Sequence, residues 1–426
     1  MKNLRNWAGN YTFSASELHV PASVEEIQEI VAHSRQIKVL GTRHSFNGIA
    51  DSTEKLISLE KLNQVIAIDP VNHRDTVEAG IRYGELCQYL NGYGYAIHNL
   101  ASLPHITIAG AIATATHGSG DANGNLATIV HSLEMVKADG DVVVLSRDDQ
   151  GGDFAGAVVG LGGLGIVTKL TLDLVPAFQM TQHVYDNLPL AQLETHFDDI
   201  FSSAYSVSLF ADWTNASFNQ VWVKRKLTDT TVDTTALQAE PEFYGAVLAD
   251  VPRHPVPGYT GENCSQQLGV PGPWHERLAH FRMDFTPSAG EELQSEYFVS
   301  RADAYEALCA LDRIREHISP LLFVSEVRTI AEDDLWMSPC YGQKSVAFHF
   351  TWKPDWEAVR HVLPLIEKQL EPFHARPHWG KLFTMPPARL AELYQKLPDF
   401  QQLLHHYDPQ GKFRNAFLHT YIMGDC

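Results

Sequence analysis

Apolar positions follow one rhythm up to Pro176 and another beyond it. Near the N-terminus, Ser23 and Glu26 form an S-x-x-E capping box, and Ile27, Ile30 and Val31 come after it at helical spacing, which predicts a helix there. A short apolar strand is expected over 37–40. The polar loop Gly41-Thr42-Arg43-His44-Ser45-Phe46-Asn47 comes next, then two short strands at LISL (56–59) and VIAI (65–68). Residues 83–90 read as a helix that stops near Gly92. A loop rich in Gly, Ala, Ser and Thr runs from Ser102 to Gly124, and LEMVKADGDVVVLS reads as a hairpin turned at Asp139-Gly140.

The run GLGGLG (160–165) matches G-x-G-x-x-G, but a dinucleotide fingerprint needs a strand before it and a helix after it. The segment on its C-terminal side, IVTKLTLDLV, alternates as a strand with Thr168, Leu170, Leu172 and Leu174 on one face. The glycines therefore mark a tight helix-to-strand passage or a close backbone approach to a ligand. Residues 177–370 carry longer alternating strands and aromatic-rich helices, with a Pro- and Gly-dense stretch at 240–275 expected as an extended loop. The chain then reads as RPHWGKLFTMP, one amphipathic helix, and DPQGKFRNAF, and no internal repeat is found.

A chain of 426 residues is too long for one compact core, so two domains are the default. The net charge of -19 repels phosphate backbones and anionic lipid heads, and neither nucleic acid nor membrane is an expected partner. No apolar run is long enough to span a bilayer, and the first residues carry no cleavable leader pattern. Cys87, Cys264, Cys309, Cys340 and Cys426 are odd in number and scattered, which fits reduced thiols in a cytoplasmic protein. A monomer is the default.

Candidate chemistry begins at 41–47, where a turn with Gly at its start and Ser and Asn near its end presents several backbone N–H groups in one direction. Such a nest suits a pyrophosphate. A second loop with Gly110, Gly118 and Gly120 can do the same, so the pair either holds a dinucleotide or forms two ordinary surface turns. His44 sits inside the first nest, as a ligand-facing group or as a histidine that only hydrogen-bonds its loop. His105 and His117 are twelve apart and no zincin motif occurs, so no metal is expected. In FVSEVRTI, Glu326 and Arg328 share a strand face. In VAFHFTW, His349 and Thr351 share one, with Phe348, Phe350 and Trp352 behind. The two strands form either a polar floor for a hydroxyl-rich ligand or an exposed face with a surface ion pair. His378-Trp379-Gly380-Lys381 sets two cationic-capable groups beside a glycine.

Taken together, these pieces give a near end-to-end resemblance to the alditol oxidases of the vanillyl-alcohol-oxidase flavoproteins. It is carried by NWAGN (6–10), VLGTRHSFN (39–47), ASLPHITIAGAIATATHGSG (101–120), GVPGPWHERLAHFR (269–282) and FTPSAGEELQSEY (285–297). SEVRTI (325–330), SVAFHFTW (345–352), RPHWGK (376–381) and DPQGKFRNAF (408–417) complete it. The HSFN loop and HWGK are shared with aldonolactone oxidases, whereas GEELQSEY and HFTW are more particular to alditol oxidases.

This resemblance implies an α+β fold of two domains: FAD-binding residues 1–176, an antiparallel-sheet cap over 177–370, and a segment 371–426 that completes the first domain and the active site. It implies FAD attached through its 8α-methyl group to His44. Cofactor contacts fall on Gly41, Thr42, Arg43, Ser45, Phe46, Asn47, Ser102, Thr107, Gly110, Ala111, Ile112, Ala113, His117, Ile166 and His378. The polyol-binding set is Ser102, Gln294, Glu326, Arg328, Thr351 and Lys381. The local departure is Thr42-Arg43, where a small residue and Gly are commoner. The reaction implied is oxidation of the C1 hydroxyl of an alditol such as xylitol or sorbitol to the aldose, with hydride passing to flavin N5 and O₂ reduced to hydrogen peroxide. Arg328, Lys381 and Glu326 are the catalytic candidates, and Lys381 is the leading general base. An aldonolactone oxidase or dehydrogenase is the near alternative. A polyol-binding protein without redox activity is the alternative of another class.

Overall fold

A computed structural model of the chain describes residues 4–149, 152–227, 237–285 and 291–424. Residues 286–290 of the FTPSAGEELQSEY motif, and Cys426, lie outside the described residues. Helix α1 (Val24–Ala32) starts at its capping residue, where Ser23 Oγ accepts from the Glu26 amide at 3.2 Å. The Glu26 carboxylate accepts from the Ala22 amide, so the box closes one residue earlier than its motif implies. Ile27 and Val31 turn inward to join Ile37 and Ile57 in an apolar cluster. Those two residues belong to a small parallel sheet in the order β1 (Glu17–His19), β3 (Lys55–Ser58), β2 (Ile37–Leu40).

A five-stranded antiparallel sheet comes next, built from β4 (Val65–Asp69), β5 (Arg74–Glu78), β6 (Val130–Val136), β7 (Val142–Ser146) and β8 (Ile166–Asp173), in the order β4-β5-β8-β6-β7. Strands β6 and β7 form the expected hairpin, and Gly140 takes the positive φ (89°) its turn requires. Burial alternates strictly along β8, as its sequence predicts, with Ile166, Thr168, Leu170 and Leu172 inward. The GLGGLG run links helix α4 (Asp153–Ala157) to β8, so it is a helix-to-strand passage. Helices α2 (Tyr83–Gly92) and α3 (Ile108–Ala113) bury their apolar residues in the main core.

The second half is dominated by a ten-stranded sheet. Its main path runs β9 (Gln179–Pro189), β11 (Ser217–Lys226), β10 (Ser206–Ala211), β13 (Leu322–Ile330), β14 (Ser345–Trp352), β12 (Leu293–Ser300) and β15 (Arg376–Pro377), each pair antiparallel. Phe348, Phe350 and Trp352 share the main core with Leu363 and Ile366 of helix α5 (Trp356–Leu370). The single helix expected after RPHWGKLFTMP is two, α6 (Pro387–Leu393) and α7 (Leu397–Tyr407). Pro398 has no N–H to continue a helix and sits in the first turn of α7, where that loss is harmless.

The C-terminal segment is fastened to the first part of the chain. The Ile37 amide donates to Lys412 O at 3.0 Å. Lys412 Nζ donates to Val31 O and Ala138 O, and Asn415 Nδ2 donates to the carbonyls of Gly48, Ile49 and Asp51. The architecture is α+β. Among the described residues no helix is long and apolar enough to cross a membrane.

Candidate active site

A cavity of about 1390 Å³ runs from the loop at 41–47, past the segment 101–117 and the GLGGLG turn, to the polar face of β12, β13 and β14. Its walls at the first end are mostly backbone and small side chains. A Cβ at Gly41 would lie 2.6 Å from Thr107 Oγ1, and one at Gly110 2.9 Å from the same atom, so a side chain at either would displace the Thr107 hydroxyl. Thr42, Arg43, His44, Ser45, Phe46, Asn47, Ser102, Ala111, Ile112, Ala113, His117 and His378 also line the cavity. Ile166 does not. It is buried with Ile27 and Phe413, and its neighbours Gly165 and Val167 face the space instead. Arg43 holds φ at +62°, the conformation glycine adopts without strain, which gives a physical reason for a glycine preference there. The Trp7 amide donates to Arg43 O at 2.7 Å and keeps the turn closed.

His44 packs between Trp7, with ring centroids 4.5 Å apart, and His105, at 5.2 Å. Its Nδ1 is buried with no partner among the described residues, as are both ring nitrogens of His105. Burial first, then the positive potential of His105 and Lys381, lowers the His44 pKa to about 3, so the ring is neutral and keeps a lone pair. Burial, with Arg82, lowers His105 to about 4. Unpartnered buried nitrogens are costly unless a ligand meets them. The long cavity, its small-residue walls and these nitrogens fit a flavin dinucleotide.

At the other end, strand register assembles what the sequence scatters. Glu296 lies opposite His349, and His349 opposite Glu326, so three central strands place three polar groups in one row. Gln294 lies opposite Thr351 in the next row. Glu296 is 1% exposed and holds this cluster together. Its Oε2 accepts from Lys381 Nζ at 2.7 Å and its Oε1 from Arg328 Nη2 at 2.9 Å, and His117 Nε2 stands 3.2 Å from Oε1. Burial alone would raise the Glu296 pKa, but Lys381, His117 and Arg328 hold it well below the usual range. Glu326 is likewise held low against burial, by Arg328 and His280. Arg328 Nε is buried without a full hydrogen bond, 3.5 Å from Glu326 Oε2.

Lys381 Nζ also donates to His349 Nδ1 at 2.8 Å, and His349 Nε2 contacts Thr351 Oγ1 at 3.0 Å. Burial and Lys381 push the His349 pKa well down, so this ring is neutral, accepting at Nδ1 and donating at Nε2. Lys381 itself is lowered by burial, with Glu296 opposing and Arg328 assisting. The loop that presents it is tied down by Asn47, whose Nδ2 donates to Trp379 O and Lys381 O. The polar face is therefore a buried floor, not a surface ion pair. Sequence reasoning names Gln294, Glu326, Arg328, Thr351 and Lys381 but passes over Glu296. The available signal was its spacing, two residues from Gln294 on the same strand face. His280, on a loop between strands, carries no such signal.

The chain matches the FAD binding domain family over residues 16–146 and the D-arabinono-1,4-lactone oxidase family over residues 287–421. It is 48% identical to an alditol oxidase of Streptomyces sp. over 422 residues, covering 98% of this chain and 99% of that one. It is 28% identical to mouse L-gulonolactone oxidase, covering 97% of each. Among solved structures it superposes on a solvent-stable cholesterol oxidase with a TM-score of 0.79 at 15% identity, covering 98% of this chain and 96% of that one. At that identity the likeness speaks for the fold alone.

Proposed function

Since the chain belongs to the alditol oxidases, within the vanillyl-alcohol-oxidase flavoproteins, we propose that it oxidises the terminal C1 hydroxyl of an alditol to the aldose, with FAD as cofactor and O₂ as final acceptor. The observation that carries this reading is the buried row Glu296, His349 and Glu326, with Arg328 and Lys381, at the inner end of a cavity whose other end suits a dinucleotide. When bound, FAD supplies a two-electron acceptor and passes those electrons to O₂, giving hydrogen peroxide.

The protein's own groups divide the remaining work. With two of its tetrahedral positions engaged by Glu296 and His349, Lys381 Nζ keeps one for the substrate. Its lowered pKa favours a free lone pair there, which accepts the C1 hydroxyl proton. Arg328 stays cationic against the pull of burial because Glu326 and Glu296 flank it, and it stabilises negative charge growing on that oxygen. Gln294, Thr351, Ser102 and Glu326 read the other hydroxyls. An alcohol lacking those hydroxyls leaves these buried groups unpaired and is rejected. We also propose that residues 1–176 and 371–426 form the cofactor-binding part and 177–370 the cap.

The finer proposal is a covalent bond from His44 to the flavin 8α-methyl carbon, supported by its neutral, unpartnered Nδ1 at the cavity wall. The match to a lactone oxidase family over 287–421 keeps an aldonolactone as the rival substrate. Acid precipitation of the purified protein tests the linkage: a yellow pellet from wild type and a yellow supernatant from His44→Ala are expected. Peroxide release is then compared on xylitol, sorbitol and L-gulono-1,4-lactone. Turnover of the lactone alone would overturn the alditol reading, and a protein that binds no flavin would overturn the oxidase reading.

A further inference from the structure

Behind the polar floor lies a buried chain of groups that the reaction above does not use. Lys224 on β11 is 1% exposed. Its Nζ donates to Leu278 O at 2.6 Å, to Ala279 O at 3.0 Å and to His280 Nδ1 at 3.3 Å. Three acceptors match the three N–H donors of an ammonium group. Glu326, held as a carboxylate, takes a donor at Oε1, so the His280 proton sits on Nε2 at 2.7 Å and Nδ1 faces Lys224 as an acceptor. The ring cannot rotate freely, because Phe210 and Trp222 meet it edge to face at 5.4 Å and 5.3 Å. The other tautomer would set an N–H against the ammonium and a lone pair against the carboxylate.

We infer that Lys224 and His280 are a positioning pair that holds Glu326 with one oxygen occupied and the other free for the substrate hydroxyl next to C1, and so set the preference for polyols over alcohols that lack that hydroxyl. This rests on the alditol reading. Glu326 Oε1 is taken by His280, while among the described residues Oε2 has only the 3.5 Å approach of Arg328 Nε, longer than a good hydrogen bond. Both Glu326 and His280 line the cavity. Arg328 reaches back toward His117 O on the flavin side, at 3.5 Å. Glu326 precedes it by two residues on the same strand face, roughly 6–7 Å along β13. The side chains converge nonetheless, Arg328 Nε to Glu326 Oε2 at 3.5 Å, so a polyol whose C1 oxygen meets Arg328 and Lys381 meets Glu326 with the neighbouring hydroxyl. A carboxylate free to rotate would present that acceptor only part of the time, which weakens binding without touching the reacting end.

His280→Leu and His280→Gln test this, since Gln keeps an N–H near the position of Nε2. Flavin content and steady-state kinetics are measured on xylitol and on propane-1,3-diol, which lacks a hydroxyl next to C1. His280→Leu should raise KM for xylitol at least tenfold with kcat changed less than threefold, and its loss on xylitol should exceed its loss on propane-1,3-diol at least fivefold. His280→Gln should restore most of the xylitol KM, and Lys224→Met should show the Leu signature more weakly. Equal losses on both substrates, a fall in kcat alone, or a Gln variant as impaired as Leu would overturn the assignment. Should His280→Leu fail to fold, the Gln variant decides alone: near-wild-type KM supports the pair, and a tenfold rise sinks it. Wild-type enzyme that ignores xylitol would instead overturn the alditol reading, a separate outcome.

Discussion

Replacing Glu296 by Gln keeps the shape of the side chain and removes the anion that Arg328, Lys381 and His117 share. Loss of one member from a buried ion cluster costs about 3–5 kcal/mol, and Gln, which keeps an oxygen acceptor, belongs at the lower end. With an unfolding entropy of about 2 cal/mol/K per residue, 3 kcal/mol lowers Tm by roughly 3 °C in a chain this long. The chemical effect is more diagnostic. Glu296 opposes the burial that lowers Lys381, so its removal moves the Lys381 pKa further down. A charge-assisted hydrogen bond contributes about 1.5–3 kcal/mol net. Losing it disfavours the ammonium form, so the profile shifts to lower pH. Anaerobic stopped-flow reduction of the flavin by xylitol, monitored across pH, reads it directly. The acid limb should move to lower pH while the plateau falls on the order of 100-fold, because Arg328 Nη2 loses the charge it is paired with. An unmoved limb with a plateau within threefold of wild type would refute Glu296 as the shared anion.

Three further outcomes are expected. Lys381→Met should cut flavin reduction on the order of 1,000-fold, within the usual range for a lost general base, and abolish the acid limb while flavin content stays normal; a preserved limb would assign the base elsewhere. Asp75 is fully buried with neither carboxyl oxygen well bonded among the described residues, and burial, opposed only by the Thr76 backbone, raises its pKa to about 7 from an ordinary 3.8. The folded state therefore holds a proton that the unfolded chain releases from about pH 4 upward. Stability falls across the window from about 4 to 7 and stays low above it. Asp75→Asn should thus raise Tm at pH 8 and leave it nearly unchanged near pH 4, and a gain of equal size at both pH values would contradict the assignment. Arg43→Gly exchanges a left-handed strain of about 1–2 kcal/mol for an entropic cost of about 0.5–1 kcal/mol. Calorimetry should find Tm unchanged or slightly raised, whereas a drop of several degrees would mean that the Arg43 side chain stabilises the turn.

How legible each element was in the sequence depends on how much of it faces water. Strand β8 is half covered, so its inward and outward positions differ in polarity, and its face was readable. The strands that build the floor are covered on both sides. Every residue of β14 is buried, and β12 is buried from Leu293 through Val299, so polarity along them reports chemistry and not exposure. That is why Glu326 and Arg328 stood out as a pair with two open explanations. Burial at 4% and 5% decides between them, since a surface ion pair does not survive at that depth. Glu296 was obscured for a different reason. Its partners lie on strands 26 and more residues away, and only the register of three antiparallel neighbours aligns it with His349 and Glu326. His280 is further removed, because its role depends on a lysine on β11 and two aromatic rings that no local pattern connects. The same covering that hid these residues is what the proposed chemistry requires. Burial can lower the Lys381 pKa against the pull of a Glu296 carboxylate at 2.7 Å only where water is excluded. On an exposed edge the same residues would be an ordinary set of solvated ions, with neither a base nor a fixed electrophile among them.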